Sequence, residues 1–279
     1  MSFAARIPFR RIARLLALIA IGYCVLLAML WFREKSMVYV PSNPAYADWK
    51  RGERAGFEDV TFAASDGVRL HGWFKDHPQR RAVVLFLHGN GGHVPLWSES
   101  VEKLIEEQRV AAFVFDYRGY GKSAGSPDEA GLYADAQAAR TWLAARTNVA
   151  ESEIVLVGRS LGTGVAVHEA VRVAPRAMIL ISPLTSLPDA AAYHYPWVPV
   201  RWLMSQRFDS LAKIGDYRGP LLIAHGDADG TVPFSLGKRL FEAAPSSEKM
   251  FLRLPGGGHN DALPAAFDEA VDTFLRNLP

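Results

Sequence analysis

Three residues far apart in the chain have the side chains and settings that acyl transfer needs. Ser160 lies in Gly158-Arg159-Ser160-Leu161-Gly162, directly after the apolar run Ile154-Val155-Leu156-Val157 and before a helix-like segment, Val165 to Val173. A serine between two near-neighbour glycines, after a strand and before a helix, is the pattern of a nucleophile elbow. The glycines lack the bulk that would stop a strained turn from closing. The hydroxyl is then exposed, and the first amides of the helix point at the reacting centre.

A serine hydroxyl is a weak nucleophile without a base, and the base needs a carboxylate to orient it. Of the eight histidines, His71 and His77 fall at an expected hairpin, and His88 and His225 precede glycines at strand ends, where they shape turns. His168 is on the helix after the elbow, His194 is in an insertion, and His93 follows a glycine cluster. His259 follows the last expected strand and three glycines, Gly256, Gly257 and Gly258, which free its loop to swing toward Ser160. It is the candidate base. Asp227 and Asp229 both follow the strand at Leu221–Ala224. Asp229 is preferred because a loop needs a few residues to clear a strand end. Asp261 is too near His259 along the chain to orient it, and Asp116 is expected to tie down its own loop. The oxyanion of a tetrahedral intermediate needs two backbone amides. The N–H of Leu161 is one. The loop after Ala82–Leu87, His88-Gly89-Asn90-Gly91-Gly92, supplies the other, assigned to Asn90.

These residues need a scaffold that brings strand ends together. The sequence reads as one. Phe57 to Ala64 and Val68 to Phe74 flank an Asp66-Gly67 hairpin signal. Ala82–Leu87, Ala111–Phe115, Ile154–Val157, Ala177–Ile181, Leu221–Ala224 and Lys249–Leu254 read as further strands, the first of them a continuous apolar run as a buried parallel strand should be. Helical segments alternate with them: Leu96–Gln108, Pro127–Arg146, Phe234–Ala243 and a closing helix to Leu275. Strands alternating with helices imply an α/β fold with a mostly parallel sheet and the opening hairpin as its antiparallel edge. Residues 183–213 break the rhythm. They are rich in Pro, Trp, Tyr and Leu and contain no strand, which suits a small cap over the strand ends.

The front of the chain is of another kind. Leu15 to Phe32 is 18 residues without a charge. As a helix it would span about 27 Å, close to the hydrocarbon thickness of a bilayer. Arg6, Arg10, Arg11 and Arg14 precede it, and Trp31 and Phe32 close it. The expectation is a single-pass anchor with its N-terminus in the cytoplasm and the catalytic domain on the opposite side. A cleaved signal peptide, lipidation of the single cysteine Cys24, and a buried core helix are the competing readings. The domain plan is then a basic segment and anchor over 1–35, a connector over 36–56 containing Pro41 and Pro44, and a globular domain over 57–279.

Composition narrows the classes. The chain has 279 residues, 49% hydrophobic and 22% charged. Residues 1–35 carry six basic groups against Glu34, or +5, which leaves about −3 for the rest of a chain whose net charge is +2. A mildly acidic body argues against nucleic-acid binding. No cofactor or metal is expected. Gly121-Lys122-Ser123 resembles the tail of a phosphate-binding loop, but the position that loop requires to be glycine is Asp116. One cysteine is too few for a thiolate zinc cluster.

Taken in order, His88-Gly89-Asn90-Gly91, Asp116-Tyr117-Arg118-Gly119-Tyr120-Gly121-Lys122-Ser123, Gly158-Arg159-Ser160-Leu161-Gly162, His225-Gly226-x-x-Asp229-x-x-Val232-Pro233 and Gly258-His259-Asn260-Asp261 resemble the α/β-hydrolase superfamily over residues ~57–279. The combination looks most like its membrane-anchored, esterase- and thioesterase-like subfamily. The resemblance implies an eight-stranded, mostly parallel sheet with helices on both faces, a cap between the sixth and seventh strands, and Ser160, Asp229 and His259 as the triad. It does not carry over depalmitoylation, since the cysteine-rich N-terminus typical of those members is missing here. The expected function is a serine hydrolase acting on a small-molecule ester or thioester of acyl or lipid-like character. A peptidase of the same fold and a non-catalytic ligand-binding or partner-binding member are the alternatives. Oligomeric state is not legible.

Overall fold

The computed structural model describes residues 9–278. Arg6, counted above with the basic residues, and the start of the 1–35 segment lie outside the described residues. The chain opens with α1 (Phe9–Val38), then α2 (Lys50–Arg54), β1 (Glu58–Ala63), β2 (Arg69–Lys75), β3 (Ala82–Leu87), α3 (Val94–Gln108) and β4 (Val110–Asp116). It continues through α4 (Glu129–Thr147), β5 (Ile154–Arg159), α5 (Leu161–Arg172), β6 (Ala177–Ile181), α6 (Leu187–His194), α7 (Val200–Leu203) and α8 (Ser210–Lys213). It closes with β7 (Leu221–Gly226), α9 (Phe234–Ala243), β8 (Lys249–Leu254) and α10 (Ala265–Arg276).

The eight strands form one sheet in the order β1-β2-β4-β3-β5-β6-β7-β8. β1 runs antiparallel to β2, and β2 antiparallel to β4. The other pairs are parallel. Strands β3 to β7 are buried along their whole length, as parallel strands covered on both faces must be. Their alternation divides the core in two. Val83, Leu85 and Leu87 point into a layer with Leu132 and Ala136 of α4 and Val165 of α5. Val84 and Phe86 point to the other face, toward Val101 and Ile105 of α3 and Phe267, Val271 and Phe274 of α10. The expected fold class, including the antiparallel opening hairpin, is the observed one. Residues 183–213 connect β6 to β7 through the short helices α6, α7 and α8.

The front differs from expectation in one respect. The helix does not stop at Phe32 but continues through Arg33–Val38, into what the sequence reads as connector. No helix breaker stands before Pro41, and the polar groups of this last stretch find partners. Lys35 Nζ meets Asp128 at 2.9 Å. Glu34 is buried at 8% exposure and accepts the N–H groups of Ser205 and Gln206 at 2.7 and 2.8 Å and the Ser205 hydroxyl at 2.6 Å. The end of α1 is therefore bonded to the cap. The stretch Arg10–Val38 is long and apolar enough to cross a membrane, and none of its most apolar window is buried, which removes the reading as a core helix.

Candidate active site

Ser160 stands at the end of β5, between β3 and β6 in the middle of the sheet. Its backbone has φ +52° and ψ −119°, a conformation that costs a non-glycine residue on the order of 1–3 kcal/mol. The surroundings enforce it. Ser160 N–H donates to the Ile181 carbonyl at 2.9 Å. The start of α5 presses so closely on the end of β3 that a Cβ on Gly162 would fall 2.0 Å from the Leu87 carbonyl oxygen. Only glycine fits there, which is the physical content of the second glycine in the motif.

β7 and β8 bring the partners. Asp229 follows β7 with its side chain fully buried. Its Oδ1 accepts the N–H groups of Thr231 at 2.9 Å and Val232 at 2.8 Å, and its Oδ2 accepts from His259 Nδ1 at 2.8 Å. His259 Nε2 lies 3.0 Å from Ser160 Oγ. Burial pushes the Asp229 carboxyl up, but the close approach of the His225 ring, at 3.4 Å, and the hydrogen bonds from His259 and the Val232 N–H prevail and hold it well below the usual carboxylate range. An ionised Asp229 keeps the proton of His259 on Nδ1, so Nε2 faces Ser160 as an acceptor. The loop carrying His259 lies flat on β7, because a Cβ on Gly226 would fall 2.1 Å from the Gly257 carbonyl oxygen.

The residues set aside in the sequence have other work. Asp227 takes Arg253 at 2.7 Å and the Gly256 N–H at 2.7 Å. Asp261 accepts the Gly258 N–H at 2.7 Å. Asp116 accepts the Val94 N–H at 2.7 Å and, within its own loop, the Lys122 N–H at 3.2 Å. His225 bonds the Val232 carbonyl at 2.9 Å, and burial pushes the basicity of His88 down. His168 is stacked on Tyr133 at 3.6 Å, away from the triad.

Leu161 and Asn90 both line the cavity at Ser160. Among the described residues, neither backbone N–H donates a hydrogen bond, so both are available to an anion. The Asn90 side chain has a role that the sequence does not announce. Its amide donates to the Val38 carbonyl, and its Oδ1 accepts from Val40 N–H at 3.2 Å and Tyr120 Oη at 2.7 Å. It ties the end of α1 to the loop beside Ser160. Arg159 is a second residue missed by sequence reasoning. It is nearly buried, stacks over Trp97 and donates to the His259 carbonyl at 3.0 Å, fixing that loop from below. The only sequence signal was its place inside the elbow motif.

A cavity of about 350 Å³ lies over Ser160, within the range of small-molecule sites. Its walls are mainly apolar and come mostly from the cap, the loop after β7 and α1, with Asn90, Ser160 and Leu161 at its floor.

Sheet order, elbow and cap together match a known architecture, and comparison with known proteins agrees. A family model described as serine aminopeptidase, S33, matches residues 78–213. An uncharacterized protein of Mycobacterium tuberculosis is 36% identical over 271 residues, covering 95% of this chain and 94% of the relative. The alpha/beta hydrolase domain-containing protein WAV2 of Arabidopsis thaliana is 32% identical over 267 residues, covering 88% and 85%. The esterase Pf2001 of Pyrococcus furiosus is similar in fold, with a TM-score of 0.68 at 22% identity, covering 86% of this chain and 98% of that one. The chain belongs to the α/β-hydrolase superfamily.

Proposed function

We propose that the protein is a membrane-anchored serine hydrolase that cleaves a carboxylic ester or thioester with an apolar acyl group. The observation that carries this reading is the unbroken relay from Ser160 Oγ to His259 Nε2 at 3.0 Å and from His259 Nδ1 to Asp229 at 2.8 Å, set under an apolar cavity. Ser160 Oγ attacks the carbonyl carbon while His259 Nε2 takes its proton. The oxyanion is held by the N–H groups of Leu161 and Asn90. Collapse of the tetrahedral intermediate expels the alcohol or thiol, protonated by His259, and leaves the acyl group on Ser160. His259 then deprotonates a water that attacks the acyl-enzyme, and Ser160 recovers its proton as the acid departs. By the same reading residues 1–35 contain the anchor, 57–279 the catalytic domain and 183–213 its cap, with the N-terminus cytoplasmic as the arginines favour.

The family model's description raises the peptidase alternative. An aminopeptidase must hold a substrate ammonium, and a free carboxylate in the pocket would do so. Glu34 is the only acidic residue among the described residues lining the cavity, and its oxygens already serve Ser205 and Gln206. This favours esters over peptides. Fluorophosphonate labelling of wild type and Ser160→Ala tests the nucleophile. Labelling is expected in the first alone, and equal labelling would reject Ser160. Parallel ester, thioester and peptide panels test the substrate class, and retention in the pellet at alkaline pH tests the anchor.

A further inference from the structure

The cavity over Ser160 is not closed by the globular domain. Leu30, Trp31, Glu34, Met37 and Val38 of α1 line it. Their spacing places them on one face of the helix, and the wall they make is about 12 Å long at the helical rise. The contact is built rather than casual. Glu34 is consumed by the cap backbone, Tyr39 Oη reaches Gln206 at 2.7 Å, Tyr23 Oη reaches the Trp197 carbonyl at 2.8 Å, and the Asn90 side chain grips Val38. The same helix holds the apolar run Leu15–Phe32, so the first wall residues, Leu30 and Trp31, belong to the last turn of the membrane-crossing stretch itself. The cap also exposes Trp197, which lines this cavity, and, on its outer side, Tyr193 and Trp202, the last at 93%. Amphipathic aromatic rings are the side chains that settle at a bilayer–water interface, and a cluster of this kind on a soluble surface is otherwise unfavourable.

We infer that α1 is both anchor and pocket wall, and that the enzyme draws its substrate sideways out of the bilayer holding it. This rests on the serine-hydrolase reading above. The occupant is the acyl chain of a membrane-dissolved ester or thioester, which slides along the Leu30–Val38 face until its carbonyl meets Ser160. Along that route the chain never enters water. A route through water would reduce the available substrate about fourfold for each methylene exposed. A cavity of about 150 Å³ holds benzene, so one of about 350 Å³ takes roughly a dozen non-hydrogen atoms, and a longer chain lies against α1 with its end in the lipid.

The test uses the full chain in phosphatidylcholine vesicles and an alkyl fluorophosphonate with a photoreactive diazirine near the end of its chain. After reaction at Ser160 and illumination, mass spectrometry is expected to find adducts within residues 30–38. Adducts confined to the cap and the sheet domain would overturn the proposal while leaving Ser160 as nucleophile. No reaction at Ser160 would overturn the hydrolase reading and this inference with it. A second measurement compares long-chain with butyrate p-nitrophenyl esters in wild type and Leu30→Trp. The long-to-short ratio of kcat/KM is expected to fall at least tenfold, and an unchanged ratio would reject α1 as a wall.

Discussion

Replacing Asp229 by Asn changes one atom and, by the geometry of the site, the proton on another residue. Oδ1 of Asp229 accepts two backbone N–H groups, from Thr231 and Val232. In Asp229→Asn the amide must leave its oxygen there, because an NH₂ would face two donors. The NH₂ is then turned toward His259 Nδ1, 2.8 Å away. Two donors cannot share that contact, so His259 moves its proton to Nε2 and presents a donor to Ser160 Oγ at 3.0 Å. A base in the wrong tautomer cannot take the serine proton, and the same change in a serine protease lowers kcat about 10⁴-fold. That loss corresponds to about 5 kcal/mol of transition-state stabilisation. Size and both backbone hydrogen bonds are retained, so the fold should survive, with a stability change within about 1 kcal/mol. The assay is kcat for a short p-nitrophenyl ester, with thermal unfolding as the folding control. Asp227→Asn, which touches Arg253 and the Gly256 N–H, should cost less than about tenfold, since its carboxylate reaches no reacting group. Retention of more than about a tenth of wild-type kcat by Asp229→Asn would refute the assignment of the relay.

Three further outcomes follow from named contacts. Gly162→Ala would put a methyl 2.0 Å from the Leu87 carbonyl oxygen, and overpacking of that severity costs about 3 kcal/mol or more. Calorimetry should show a Tm lower by roughly 6–12 °C, and an unshifted Tm would show that the elbow can relax. Glu34→Ala would strand the Ser205 and Gln206 N–H groups, each worth about 1–3 kcal/mol when buried without a partner. Limited proteolysis should then cut the cap near residues 195–207 faster than in wild type, and equal rates would mean that the cap is held by other contacts. Burial, followed by the nearby Lys213 charge, lowers the pKa of His168 from 6.5 to about 4. It is neutral in the folded state at pH values where the unfolded chain takes up a proton, so its contribution is present above about pH 6.5 and lost as pH falls toward 4. The ceiling is about 3 kcal/mol, and roughly half of that is expected for a half-buried, solvent-screened group. Denaturant midpoints at about pH 7.5 and 5 should differ less in His168→Phe than in wild type, and an identical pH dependence would exclude His168 as the source.

The parts of the molecule that were legible from its sequence are those governed by short-range regularity. Ala82–Leu87 has the observed bounds because a continuous apolar run between turn residues suits a parallel strand covered on both faces. Ser160 could be found because its turn needs glycines at fixed offsets. Asp229 and His259 could be found because the loops that end at a sheet's carboxyl edge converge. β7 runs two residues beyond the expected Ala224, to Gly226, since His225 packs its ring inward and continues the ladder beside Arg253. Nothing local in the sequence marks that choice.

What could not be read is a matter of distance along the chain. Glu34 at the end of an apolar helix looks like a charge lifted into water. It is instead spent on two backbone N–H groups about 170 positions later. The side chain of Asn90 looks incidental beside its backbone amide, yet it fastens α1 to the loop expected to hold the oxyanion. Each bond couples the helix at the front to the elements around Ser160. Moving α1 by one helical turn would displace Glu34 from the cap and Val38 from Asn90 together, since both sit on the same rigid helix. The position of α1 and the shape of the pocket are therefore a single variable. A fragment beginning after Val38 would keep the Ser160, His259 and Asp229 geometry, because neither of the two bonds that join them involves α1, while losing the apolar wall. Such a fragment should hydrolyse short esters and lose its preference for long acyl chains by about fourfold for each methylene that no longer finds cover. Chain-length profiles of the fragment and the full protein that superimpose would show that the wall plays no part in binding.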